Sequence, residues 1–78
     1  MDDKEIRQTI ADLVAEEHRL RGQGQGLDAA GRTRLAELEI ALDQAWDLLR
    51  QRDGARDRGV DPDSVHARPP GEVESYLQ

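Results

Sequence analysis

The fold is decided by residues 35–52, LAELEIALDQAWDLLRQR. Apolar residues recur there at alternating spacings of three and four, the pattern of one face of an amphipathic helix: Leu35, Leu38, Leu42, Ala45 and Leu49. At about 100° per residue, Trp46 lies at one edge of this face and Ala41 and Leu48 at the other, so the face spans roughly 160°. A face this wide can pack against two neighbouring helices.

A shorter amphipathic helix is predicted before it, over residues 3–21. Its apolar stripe is Ile6, Ile10, Leu13 and Leu20. Asp2 and Glu5 have the spacing of a capping box. Glu17 interrupts the stripe and has two interpretations: it pairs with Arg34 or with the Trp46 indole of a second subunit, or it leans into solvent.

A glycine-rich loop, residues 22–28, separates the two helices. GQGQG at 22–26 is unfavourable for a continued helix, and Gly22 is the predicted left-handed residue that ends the first helix. A phosphate-binding loop is excluded, because no strand precedes the glycines and no Gly-Lys-Ser/Thr follows them.

The second helix is predicted over residues 29–58, starting from Asp28 as N-cap or near Thr33 if Gly31 frays the first turn. Folding the two helices as an antiparallel hairpin places residues whose numbers sum to about 55 opposite one another. Every large apolar residue then has a partner, as Leu13 has Leu42 and Ile6 has Leu49. Asp3 faces Arg52 at the open end as an exposed ion pair, and residues 53–58 extend beyond the first helix without a partner.

Residues 59–78 are predicted to form a proline-containing tail after this hairpin of residues 1–58. Gly59 is the expected helix terminator, Asp61-Pro62-Asp63 a turn or a short helix, and Arg68-Pro69-Pro70 an extended spacer. Val73, Tyr76 and Leu77 have helical spacing, but one or two turns are not stable alone. The tail either docks Tyr76 and Leu77 on a surface or is disordered.

The size of the chain points to association. It has 78 residues, no phenylalanine, one tryptophan and no cysteine, so little core and no disulfide is available. We therefore expect a homodimer in which two hairpins pair into a four-helix bundle through the broad face. The predicted core and dimer residues are Leu38, Ile40, Leu42 and Leu48, with Ile40 exposed unless a second chain covers it.

The charge of the chain disfavours two classes of partner. A net charge of -6 is repelled by nucleic acid and by anionic membranes, and no apolar run is long enough to span a bilayer. We expect a cytoplasmic protein. The cluster of arginines at 50, 52, 56 and 58 leaves one alternative open, an accessory factor that binds nucleic acid or a ribonucleoprotein. Interleaved acids and the lack of aromatic stacking residues weigh against it.

The sequence carries no catalytic motif that survives comparison with a simpler reading. His18 follows two glutamates, but Glu-x-x-His and His-Glu-x-x-His are both absent. The two serines, Ser64 and Ser75, fall in the tail. We expect no enzyme, no metal and no cofactor.

Three segments resemble a family of short actinobacterial proteins classed only as a domain of unknown function. They are DDKEIRQTIADLVAEEHRLR at 2–21, LEIALDQAWDLLRQR at 38–52 and EVESYLQ at 72–78. The resemblance implies an actinobacterial, cytoplasmic origin and supplies no activity or site residues.

The sequence thus predicts an all-α, coiled-coil-like hairpin that acts as a non-catalytic protein-interaction module, a small adaptor or regulator with an unidentified protein partner. Aromatic residues and arginine dominate interaction hot spots. The predicted interaction residues are Trp46, Leu49, Arg50, Arg52, Tyr76 and Leu77.

Overall fold

The structure, a computed structural model, is an all-α antiparallel hairpin and describes residues 2–69 and 71. Helix α1 is Asp3–Arg21 and helix α2 is Ala29–Asp57, with short 3₁₀ turns at Gly24–Gly26 and Pro62–Ser64. The predicted fold class is confirmed. No strand occurs among these described residues.

Both helices begin at an aspartate, as the sequence predicts. The Asp2 carboxylate accepts a hydrogen bond from the Glu5 N–H at 2.8 Å, and Asp28 accepts from the Gly31 N–H at 2.8 Å. These bonds satisfy amide groups that have no partner within the first turn. Helix α2 therefore starts next to Asp28 and not near Thr33.

The first helix ends at Arg21, and Gly22 after it does not adopt the left-handed conformation that was predicted for it. Gly22 caps α1 with φ -65°, an ordinary right-handed conformation, and its N–H donates to the His18 carbonyl. The left-handed residue lies two positions later, at Gly24, with φ 53°. The prediction for Gly22 was wrong because the chain makes a 3₁₀ turn over Gly24–Gly26 before it reverses.

The core lies along the seam between the two helices. Its buried residues include Ile6 and Ile10 from α1 and Leu42 and Leu49 from α2, with Leu13, Val14, Ala45 and Leu48 packed at the sides. Leu38 is fully buried near the loop end. Asp3 contacts Arg52, as the predicted register requires.

The end of α2 has contacts that the sequence pattern does not indicate. The helix stops at Asp57, and Gly59, with φ 73°, reverses the chain. Residues 59–69, which we name the C-terminal arm, then run back along α2. The Val60 N–H donates to the Ala55 carbonyl at 2.8 Å, and Ala55 is fully buried. Residues 53–58 were predicted to be unpartnered, and this was wrong because Ala55 is fully buried and Arg56 pairs with Asp3 of α1.

Within residues 2–69 and 71, no helix is both long and apolar enough to span a membrane.

We predict that Ala55→Leu lowers the free energy of unfolding by about 1–3 kcal/mol, because Ala55 is fully buried and its surroundings leave no room for a larger side chain. Urea unfolding at one fixed chain concentration, followed by circular dichroism, measures the change. Ala36 is exposed on the same helix, and Ala36→Leu should shift stability by no more than about 0.5 kcal/mol. Equal stability of the two variants would contradict the burial of Ala55.

Candidate interaction site

Trp46 is the exposed aromatic side chain of the hairpin. It lies in the middle of α2, and 44% of its surface is accessible to solvent. Asp43 and Arg50 lie one turn before and after it, on the same side of the helix. We name these three residues the Trp46 surface.

Opposite charges flank Trp46 without an ion pair of their own. Glu39 and Asp53, at the two ends of the same helix side, are engaged by Arg21 at 2.5 Å and Arg56 at 2.9 Å. Asp43 and Arg50 form no ion pair with any residue that the structure describes. Their charges are therefore available to a partner beside an accessible indole ring.

The broad apolar face of α2 was predicted to pack against a second hairpin, but most of it is buried within one chain. Leu38, Leu42 and Leu49 are buried. Leu49, predicted as an interaction residue, is thus a core residue. Leu48 is half-buried, and so is Ile40, which was predicted to be exposed. Ile40 lies one turn before Gln44, on the side of α2 that the arm follows.

Two of the four clustered arginines, Arg52 and Arg56, form ion pairs within the molecule. Asp3 receives Arg52 Nε at 2.6 Å and Arg56 Nη2 at 2.7 Å, while Arg52 Nη1 reaches Asp63 at 2.8 Å. Arg52 was predicted to form an exposed pair; the partner was right, but its side chain is only 6% exposed because the arm covers it. Hydrogen bonds from Arg56 and then Arg52 lower the pKa of Asp3 from 3.8 to about 2.

A second ion pair fastens the arm. The carboxylate of Asp47 is 1% exposed, and it accepts hydrogen bonds from Arg68 through both guanidinium nitrogens Nε and Nη2. Gln51 Nε2 donates to the same carboxylate at 3.0 Å. These hydrogen bonds, that from Arg68 foremost, lower the pKa of Asp47. Sequence reasoning missed Asp47, because its partner lies 21 residues further on and no local spacing connects them.

Two glutamines complete the attachment of the arm. Gln51 Nε2 donates to the His66 carbonyl at 3.2 Å, and Gln44 Nε2 donates to the Arg68 carbonyl at 3.2 Å. The arm is thus held through its backbone as well as through Arg68.

Glu17 follows neither of its two predicted interpretations fully. Arg34 pairs with Glu16 instead, through Nε at 2.7 Å and Nη2 at 3.0 Å. Glu17 turns to Arg21 on its own helix, at 3.4 Å, and its side chain is 17% exposed. The carboxylate therefore lies at the edge of the seam, paired within one chain.

An apolar groove lies between α1, α2 and the arm. It has a volume of about 180 Å³. We name it the groove; its lining residues are Ile6, Thr9, Ala41, Gln44, Ala45, Leu48 and Ala67. Nothing in the sequence pattern marked it, because Ala67 reaches it only when the arm folds back.

The remaining predicted residues are placed as follows. His18 is exposed, and across the described part of the chain no group of three or more His, Cys, Asp or Glu side chains could hold a metal ion. Tyr76 and Leu77 lie outside the described residues, so their predicted role remains a prediction.

Comparison with known proteins identifies a family and relatives. The family model described as "Protein of unknown function (DUF2630)" matches residues 2–78. Uncharacterized proteins of Mycobacterium bovis (strain ATCC BAA-935 / AF2122/97) and of two Mycobacterium tuberculosis strains are each 46% identical over 77 residues, covering 95% of this chain and 88% of the relative. No solved structure matches. The predicted resemblance to actinobacterial proteins of unknown function is confirmed.

We predict that Asp47→Ala loosens the arm. Removing the carboxylate leaves Arg68 without its main acceptor, which should cost about 1–3 kcal/mol of unfolding free energy. The amides of Ser64 and Val65, which close the turn at Pro62–Ser64, should exchange with solvent faster. Asp57 is exposed on the same helix, and Asp57→Ala is the matched control. Unchanged amide exchange in the Asp47 variant would contradict the conclusion that the Asp47–Arg68 pair holds the arm on α2.

We also predict a loss of stability in acid that depends on Asp3. Its pKa is about 2 in the folded chain against 3.8 ordinarily, so the folded state binds the proton less readily. The contribution of Asp3 is therefore complete above pH 4 and is lost as the pH falls toward 2. The difference in stability between wild type and Asp3→Asn should shrink over that range. A carboxyl titration midpoint of Asp3 near 4 by NMR would contradict these ion pairs.

Proposed function

The chain belongs to the DUF2630 family of proteins of unknown function, and we propose that it is a non-catalytic interaction module that pairs with a second copy of itself through the Trp46 surface. A cytoplasmic location, expected from the sequence, is part of the same proposal.

The accessibility of Trp46 carries the proposal. A tryptophan offers a large apolar area with a polar N–H, and such residues dominate the binding energy of interfaces. In a chain with so few large side chains, 44% exposure of the one tryptophan leaves a substantial apolar area uncovered. A partner that covers it gains hydrophobic stabilisation.

The charges beside Trp46 favour a second copy as the partner. In a two-fold symmetric dimer the same surface of each copy forms the interface. A residue that precedes the symmetry axis in one copy therefore contacts a residue that follows the axis in the other copy. With the axis next to Trp46 and the α2 helices antiparallel, Asp43 of each copy faces Arg50 of the other. One surface thus supplies both members of two ion pairs.

The two helices that support this surface are joined by ion pairs at both ends of the hairpin. Arg21 and Glu39 join α1 to α2 close to the loop, and Asp3 joins them at the open end. A surface held in place before binding loses less conformational entropy on association. The four-helix bundle expected from the sequence then forms through the flanks of two complete hairpins and not through the buried leucines.

The nucleic-acid alternative is weaker in this fold. Arg52 and Arg56 are both engaged by Asp3, so two of the four clustered arginines are neutralised within the chain. Only Arg50 and Arg58 of this cluster are then left to contact nucleic acid, and the chain as a whole carries a net charge of -6.

We predict that Trp46→Ala weakens self-association by about thirtyfold or more, the effect of losing a hot-spot residue. Sedimentation equilibrium over a range of concentrations measures the dissociation constant. Val60, 43% exposed, is the matched control, and Val60→Ala should leave the dissociation constant unchanged. A wild-type chain that remains monomeric at all concentrations would overturn the proposal.

Charge exchange tests the symmetry itself. Arg50→Glu alone and Asp43→Arg alone each place like charges opposite one another and should weaken the dimer. The double variant restores opposite charges and should recover most of the affinity. A double variant weaker than both single variants would contradict the two-fold arrangement.

A further inference from the structure

We infer that the groove binds the last residues of the same chain, residues 72–78, through Val73, Tyr76 and Leu77. These residues lie outside the described part of the structure, and the inference rests on the groove, on the course of the arm and on the sequence of the segment.

The groove has the character of a site for apolar side chains. Helix α1 supplies Ile6 and Thr9, and α2 supplies four residues between Ala41 and Leu48. Alanines at 41, 45 and 67 leave the space that larger side chains would otherwise fill. A groove of about 180 Å³ lined in this way is a favourable place for an aromatic or leucine side chain.

The arm delivers the end of the chain to this groove. Its contacts with α2 move steadily toward the loop end of the hairpin: Asp63 at Arg52, His66 at Gln51 and the Arg68 carbonyl at Gln44. Ala67 and Gln44 both line the groove. Arg68 therefore lies at the rim of the groove, and its ion pair with Asp47 holds the chain there.

The length of the segment matches the groove. Residues 41–48 of α2 cover about 12 Å along the helix axis, and residues 72–78 in helical form would cover about 10 Å. On such a helix Val73, Tyr76 and Leu77 share one face, because they are spaced by three and four. The segment therefore has three apolar side chains on one face that can enter the groove next to the end of the arm.

The two polar lining residues suit the tyrosine hydroxyl. A buried tyrosine needs a hydrogen-bond partner for its O–H. Thr9 donates its hydroxyl to the Glu5 carbonyl and Gln44 donates its amide to Arg68, so each keeps an oxygen that can accept. The groove thus offers an acceptor at its edge together with an apolar floor.

The inference is independent of the proposed dimer. At about 100° per residue, Trp46 points roughly 140–160° away from Ala41 and Leu48 around the axis of α2. The two sites therefore lie on different flanks of the hairpin.

Engineered cysteines test the inference in the full chain, which has none of its own. We expect Thr9→Cys with Gln78→Cys to form a disulfide within one chain at least about tenfold faster than the control pair, because docking raises the effective concentration of the two thiols. The control is Ala11→Cys with Gln78→Cys, since Ala11 is exposed on the other side of α1 at nearly the same height. Mass spectrometry under non-reducing conditions distinguishes a disulfide within a chain from one between chains. Equal rates, or disulfides only between chains, would overturn the inference.

A variant without cysteines gives a second test. Tyr76→Ala should shift the amide resonances of Ala41, Ala45 and Ala67, which line the groove, and should leave the Trp46 indole resonance in place. Glu74→Ala, in the same segment, is the control and should not shift the groove resonances. Unchanged groove resonances in the Tyr76 variant would overturn the inference.

Discussion

Arg52 joins all three segments of this chain, and the arrangement of the segments depends on it. Its guanidinium group contacts Asp3 at the start of α1 and the Pro62 carbonyl and Asp63 in the arm, while its own backbone belongs to α2. A guanidinium group this deeply buried is tolerated only when charged and polar partners surround it. The hairpin register and the position of the arm are therefore fixed by the same side chain.

Polar contacts carry an unusual share of the organisation because the apolar core is thin. The seam of Ile6, Ile10, Leu42 and Leu49 is sufficient to align two helices. The arm brings few apolar side chains to α2 and is held by Asp47, by Arg52 and by two glutamine amides. Charged hydrogen bonds with defined geometry give this attachment one position, which apolar contact alone specifies less sharply.

Much of the fold could be predicted because its causes are local. The apolar spacing determined both helices, and the two N-cap aspartates are recognisable within a few residues. Of the residues predicted to bind a partner, Trp46 and Arg50 are exposed, whereas Leu49 belongs to the core and Arg52 is buried. The difference could not be read from spacing, because Leu49 and Trp46 both lie on the broad apolar face. Which edge of that face α1 covers depends on how the two helices cross.

The sequence alone determined the element types, the helix starts and the antiparallel pairing, since hydrophobic period, caps and loop length act over a few residues. Only the tertiary structure decided that residues 59–69 return along α2, that Asp47 is buried against Arg68, and that a groove exists between three segments. Each of these depends on contacts between residues far apart in the chain, and such contacts leave no periodic signal. Periodic features can therefore be recognised in the sequence of this chain. Contacts between distant residues become known only from the folded structure.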